Sequence, residues 1–366
     1  MKRLAVLLVM ALSVAGCGNP LTPTSAGETA NTPLASTKSE WPILGEDGGP
    51  VVGINVYARS NYSAGQVTAY GKRIFAYIKD VLKADAVGIV WNFYTPSLYS
   101  NNVESTGATL SASNVGILTT IATQDHLLVE YRPMILVPGQ PTSWEGLINP
   151  YPPAIWFSNF YRAEVPYLRM AQKLGVREFV TATELTELNS SPLWSSLFAQ
   201  VSRVYHGVIS YTAWDGDYFG YPPGTLFHTA KPDLLPVKYL GMDMYWHMNI
   251  ADTATSAEVT ADWEALFSKV PASVLRRTAI DETGIPAEVG AYQNPPDFQG
   301  GGRLSEQVQA NWFNAACATV HRYHMRGVFF WVVFLTDDPA HPDASLSTFE
   351  GRKAASTISE CQQILN

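Results

Sequence analysis

The chain has 366 residues, of which 46% are hydrophobic and only 15% charged, and its formal net charge is −8. No Lys/Arg cluster offers a phosphate-binding stripe, which with the acidic balance speaks against nucleic acid as a partner. After the N-terminal stretch no segment approaches eighteen uncharged apolar residues, so nothing further along reads as a membrane span.

The N-terminus opens Met1-Lys2-Arg3 and runs apolar from Leu4 to Val14, ending Val14-Ala15-Gly16-Cys17. A basic start, a short apolar run and small residues before a cleavage point read as a secretory signal. Small residues followed at once by Cys resemble the lipobox of bacterial lipoproteins. That resemblance implies that Cys17 is lipidated, that residues 1–16 are removed, and that the protein is exported to the cell envelope. Residues 17–40, rich in Thr, Ser, Pro, Ala and Asn, cannot build a core and read as a flexible tether. Residues 41–366 are then one domain of about 325 residues, a size that single α/β barrels reach.

Within that domain strand-like runs alternate with amphipathic helical stretches. The strands are expected at Val51–Tyr57, Ala86–Phe93, His126–Leu136, Arg177–Glu184, Gly207–Ala213, Lys238–Tyr245, Arg276–Glu282 and Gly327–Phe334. Helices are expected at Gln66–Leu82, Ser158–Leu174, Pro192–Val204, Ser256–Val270, Ser305–Tyr323 and Arg352–Leu365. Eight such units ending on a helix indicate an α/β fold, a single (β/α)8 TIM barrel. The fifth unit is the weakest, because Leu234–Val237 leaves little room for a helix. An open doubly wound sheet would usually carry a glycine-rich loop after the first strand; here that place reads Ala58-Arg59-Ser60-Asn61.

Chemistry in such a barrel sits at the C-terminal strand ends. Two of these ends carry Glu: Thr183-Glu184 on the fourth strand and Asp281-Glu282 on the seventh. The others supply Asn55 and Tyr57, Trp91, Arg132, Trp214, Tyr245 and Trp331. Ten Trp, 18 Tyr and 15 Phe in the chain are compatible with a carbohydrate ligand, although a large core explains many of them equally well. Two carboxyl groups flanking a scissile bond, one ionised and one protonated, are what glycoside hydrolysis needs.

At this point the sequence resembles the clan A retaining glycoside hydrolases, and most closely the family 113 type known for β-mannanases. The resemblance is carried in order by Ser143-Trp144-Glu145-Gly146, Trp156-Phe157-Ser158, Phe179 to Leu185, Gly207 to Tyr211, Leu240 to Tyr245 and Ile280 to Gly284. It implies Glu184 as acid/base and Glu282 as nucleophile. It also implies Tyr245 as a tyrosine that holds the nucleophile, and Trp331 as the aromatic floor under the sugar. No metal or organic cofactor is implied, and a monomer acting on a β-linked hexose polysaccharide or oligosaccharide is expected, with β-1,4-mannan favoured. Two positions depart from the family pattern: Thr183 stands where many clan A enzymes have Asn, and Glu145 where Arg is more usual. A non-catalytic glycan-binding lipoprotein and a transglycosylase are the alternative readings.

Several residues have competing readings. Glu187 is a rival acid, but it falls at a helix start, where acidic residues favour the dipole. Asp281 is expected to point outward, toward the helices, by strand alternation. Arg132 either pairs with Glu130 or keeps Glu282 ionised. Trp91, Trp144 and Trp214 are sugar platforms or core. Asn55 and Tyr57 share parity and are both expected at the barrel mouth. Thr183 could hydrogen-bond a sugar. Cys317 and Cys361 form a disulfide or remain buried thiols. His321 and His324 lack a carboxylate at ligand spacing and read as helix surface.

Overall fold

The computed structural model describes residues 49–138, 144–220, 232, 235–298, 301–342 and 347–365. The expected signal, Cys17 and tether lie outside the described residues. Eight parallel strands close into a barrel in sequence order. They are β1 (Val51–Tyr57), β2 (Ala86–Tyr94), β3 (Leu128–Leu136), β4 (Glu178–Thr183), β5 (Val208–Trp214), β6 (Tyr239–Met244), β7 (Thr278–Thr283) and β8 (Gly327–Phe334). The helices around them are α1 (Ala64–Asp80), α2 (Ala112–Gln124), α3 (Pro153–Leu174), α4 (Leu193–Val201), α5 (Asp215–Phe219), α6 (Ser256–Phe267), α7 (Ala272–Leu275), α8 (Glu306–Tyr323) and α9 (Lys353–Leu365). Among the described residues no helix is long and apolar enough to cross a membrane.

Local chemistry sets the element ends. A reciprocal capping box between Ser63 and Gln66 starts α1, and one between Thr255 and Glu258 starts α6. Gly175, at φ 65°, ends α3 in the left-handed conformation. Outward residues such as Ile54, Val56, Ile89 and Trp91 are fully buried against the helices. Among the described residues, the fifth crossover carries the five-residue α5. Cys317 on α8 and Cys361 on α9 are joined as a disulfide, which settles the choice left open by sequence.

The barrel interior is unusual in its charge. Its lower end is closed by Val51, Ala86 and Phe329 packed with Leu128. Above them Arg326 forms a two-pronged ion pair with Glu178, with N–O distances of 3.1 and 2.5 Å. Glu130, Asn55, Thr212 and Asp281 follow, all essentially buried. Polar groups therefore run up the axis to the mouth, while the apolar core lies between sheet and helices.

Candidate active site

Three strands carry one extra residue near the mouth. In β4 the register against β5 shifts between Val180 and Thr183. In β7 it shifts against both neighbours, so that Met242 faces Ile280 but Asp243 faces Glu282. In β8 it shifts against β1 between the partners of Ile54 and Val56, the stretch holding Trp331. A bulge re-aims the side chain that follows it, and these bulges precede or contain Glu184, Glu282 and Trp331.

The β7 bulge corrects the expected direction of Asp281. Simple alternation would send it outward, but the extra residue lets Asp281 and Glu282 both face inward. Thr212 Oγ1 donates to Asp281 Oδ2 at 2.6 Å. Gly241 makes room, since a Cβ there would stand 1.8 Å from that oxygen. Asp281 is therefore a lumen group below the mouth.

Glu282 is held by two donors. Tyr245 Oη donates to Oε1 at 2.6 Å, and Arg132 Nη2 donates to Oε2 at 3.1 Å. The same Nη2 donates to both oxygens of Asp243, at 2.6 and 2.5 Å. Arg132 thus pairs with Asp243 and Glu282, not with Glu130. Burial works against the guanidinium charge, but Asp243, Glu282 and Asp281 outweigh it and keep Arg132 protonated. Tyr245 is fixed in turn, because its backbone N–H donates to the buried Asp215 at 2.6 Å. Burial pushes Glu282 up to about 7, against the pull of Arg132 and the Tyr245 hydrogen bond.

Glu184 follows β4 at φ 51°, a left-handed conformation that a non-glycine residue rarely adopts. Its N–H donates to the Thr212 carbonyl at 2.8 Å, and its carbonyl accepts from Thr186 at 2.7 Å. These bonds hold a strained backbone, and such strain clusters at functional sites. The carboxyl accepts a hydrogen bond from Trp144 Nε1. Burial, then the charges of Asp243, Glu145 and Glu282, push Glu184 well above the ordinary carboxylate range. Glu282 has a cationic partner and Glu184 has none among these causes, so Glu184 keeps its proton in the range where Glu282 loses its own.

Aromatic side chains frame these two groups. Tyr57 and Trp331 lie with centroids 5.5 Å apart, and Trp144 and Trp214 meet edge to face at 5.0 Å. All four remain partly exposed. Gly146 lets the Trp144 ring fold back over the chain, since a Cβ there would meet that ring at 2.4 Å.

Three expectations are corrected. Trp91 is fully buried and stacked on Tyr167 at 4.6 Å, on the helix side of β2. Its inward neighbour Asn92 instead reaches the site, where Nδ2 donates to Tyr57 Oη at 2.6 Å. Asn55 has the inward parity but lies below the mouth, fully buried, with Nδ2 donating to the Asp281 carbonyl at 2.8 Å. Thr183 is buried, and its hydroxyl donates to the Pro133 carbonyl at 3.3 Å. Glu187 lies in a short 3-10 turn, partly exposed.

Sequence reasoning missed three site groups. Asp243 was visible at a strand end, but its role needs Arg132 across the barrel. Asn92 follows from period-two alternation once Gly88 is known to face inward. Glu145 was noticed only as a departure from a family pattern. It is buried, one of its oxygens has no hydrogen-bond partner, and burial pushes it up to about 8. Among the described residues no cluster of His, Cys, Asp and Glu is arranged to hold a metal ion.

The sequence matches the family model described as Glycoside Hydrolase Family 113 over residues 144–340, more than half of the chain. Solved structures of similar fold include one described as a complex of a GH113 beta-1,4-mannanase. It superimposes with a TM-score of 0.72 at 17% identity, over 86% of this chain and 99% of its own. The GH113 beta-mannanase AaManA from Alicyclobacillus acidocaldarius gives 0.68 at 16% identity, covering 87% and 99%. GH5_18 from Streptomyces cattleya, solved with GlcNAc, gives 0.54 at 14% identity, covering 86% and 80%. None of the curated proteins matches the sequence significantly.

Proposed function

Because the chain belongs to glycoside hydrolase family 113, we propose that it is a retaining β-glycosidase working through Glu184 and Glu282, with β-1,4-mannan as the favoured substrate. The observation that carries the mechanism is the unequal treatment of the two acids. Arg132 and Tyr245 hold Glu282 toward the ionised form, while Glu184 stands among carboxyl groups that favour its protonation. The mannan preference rests on family membership and on the names of the β-1,4-mannanases that share the fold.

In the first step Glu184 gives its proton to the glycosidic oxygen as a Glu282 oxygen attacks C1. The C1–O bond breaks, the leaving sugar departs with that proton, and a glycosyl ester forms on Glu282. Each Glu282 oxygen has a single donor and so keeps a lone pair for attack. In the second step Glu184, now a carboxylate, takes a proton from water while the water oxygen bonds to C1 and Glu282 leaves. Trp144 orients Glu184 through its indole N–H, and Tyr57, Trp331 and Trp214 offer ring surface to the sugar.

Removal of each acid tests these roles. Glu282→Ala is expected to lose nearly all turnover on every substrate, roughly 10⁴-fold or more. Glu184→Ala is expected to hydrolyse polymer poorly, yet still form the intermediate from an activated aryl glycoside. Added azide should then release the Glu184→Ala intermediate with retained configuration, and rescue Glu282→Ala with inverted configuration. The opposite pattern would exchange the roles, and wild-type activity in both variants would place the site elsewhere.

The N-terminal sequence supports a proposal about location. Val14-Ala15-Gly16-Cys17 after an apolar run makes Cys17 a lipid attachment point in the cell envelope. Cys17→Ala should leave the protein unprocessed or release it from the membrane fraction. A mature, membrane-bound variant would contradict this.

A further inference from the structure

Few large apolar side chains are exposed among the described residues, and three of the five lie together. They are Tyr99 at 72%, Tyr151 at 87% and Ile155 at 49%. Tyr99 is on the β2–α2 loop, Tyr151 on the β3–α3 loop, and Ile155 in the first turn of α3. Both loops leave the C-terminal ends of their strands, the end that carries Glu184 and Glu282.

Hydrogen bonds join the two loops. Asn149 N–H donates to the Leu98 carbonyl at 2.8 Å. Asn101 Nδ2 donates to the Tyr151 carbonyl at 2.8 Å, and Asn159 Nδ2 donates to the Asn101 carbonyl at 2.7 Å. At the base of the β2–α2 loop Tyr94 and Glu104 form an antiparallel bridge. The backbones of the two tyrosines are therefore adjacent, and both are pinned. Backbones held in this way need no ordering when a ligand arrives, which lowers the cost of binding.

The chain also connects this patch to the site. Trp144, bonded to Glu184, is seven residues before Tyr151, so the two are at most about 25 Å apart. The patch and the cleft thus lie on one face, joined by one short segment. Tyrosine combines an apolar ring face with a hydroxyl, which suits the mixed surface of a sugar chain. Nothing in the proposed mechanism uses either residue.

We propose that Tyr99 and Tyr151 form a remote platform for polysaccharide, which holds the chain beyond the sugars bound in the cleft. The proposal rests on a polysaccharide substrate and deepens that reading. The platform acts on long chains only. A short oligosaccharide fills the cleft without reaching it.

The test uses the Tyr99→Ala/Tyr151→Ala double variant of the full protein. The same pair as Trp keeps the ring surface, and a thermal melt checks folding. Migration is measured in gels containing soluble β-1,4-mannan, β-1,4-glucan or β-1,4-galactan, and kinetics on the retarding polymer and on its trisaccharide. Wild type should be retarded by at least one polymer. The Ala pair should lose that retardation and show KM for polymer raised about tenfold, with trisaccharide kinetics unchanged. The Trp pair should be retarded as wild type is. Retardation and polymer KM unchanged in the Ala pair would overturn the platform, as would equal losses on polymer and trisaccharide. A wild type that cleaves trisaccharide but is retarded by no polymer would overturn the platform and leave the enzyme reading intact. Retardation lost in the Ala pair of a protein that cleaves nothing would support the platform and sink the enzyme reading.

Discussion

Glu145 shows how a single side chain can shape the chemistry of its neighbours. It is buried beside Trp144 and its charge acts on both Glu184 and Glu282. Burial pushes its own carboxyl up to about 8. Once ionised, it favours the proton on both Glu184 and Glu282. Glu145→Gln removes that charge, so Glu184 should release its proton earlier. The alkaline limb of the kcat/KM profile should move to lower pH, and the acidic limb should shift in the same direction. An unmoved alkaline limb would mean that Glu145 does not reach Glu184 electrostatically. At this scale Glu184 and Glu282 were legible as candidates, because a carboxylate at a strand end is visible without coordinates. Sequence reasoning misplaced Asp281 and chose Trp91 over Asn92. A bulge breaks the period-two pattern, and in a strand as apolar as β2 the bulky residues on the two faces look alike.

Among the elements, α3 carries an acid with no hydrogen-bond partner among the described residues. Glu164 is completely buried, and neither carboxyl oxygen has a hydrogen bond. It precedes by one turn Tyr167, which stacks on Trp91. Burial alone pushes its pKa well above the ordinary 4.5. The unfolded chain therefore releases this proton first as pH rises, and the folded state pays for keeping it. Stability from this group is intact below about pH 4.5 and declines above it, with a slope approaching about 1.4 kcal/mol per pH unit until the folded group ionises. Glu164→Gln cannot ionise, so its urea-unfolding free energy relative to wild type should rise between pH 5 and pH 8. A constant difference across that range would show that Glu164 has a partner or reaches water. Elements with strong signals were legible from sequence, and β1 and β8 match their expected bounds. Helix α2 was not anticipated, because Ala112–Gln124 has Gly, Asn and three Thr and no charged residue to mark a polar face.

For the whole molecule, alternation of strand and helix was enough to foresee barrel closure, since parallel strands need crossovers that cover the sheet. The charged axis was not foreseeable, because Glu130, Glu178, Asp281 and Arg326 come from four separate strands or strand ends. The Cys317–Cys361 bond closes a loop across a sequence separation of 44 and ties the final helix α9 to α8. The double variant Cys317→Ser/Cys361→Ser should lose about 4 kcal/mol of stability on chain-entropy grounds, while cleavage at 25 °C continues because neither residue is near the mouth. An unchanged melting temperature would show that the bond does not constrain the unfolded chain.

The central claim is that Glu282 attacks C1 directly and that water then enters from the opposite face, the one the leaving sugar vacated. It is tested most directly by the anomeric configuration of the first product, followed by proton NMR from the moment wild-type enzyme meets a β-linked manno-oligosaccharide. The account predicts that the β-anomer appears first and that the α-anomer grows in only at the rate of mutarotation. Initial release of the α-anomer would mean inversion by a single displacement and would contradict the role given to Glu282.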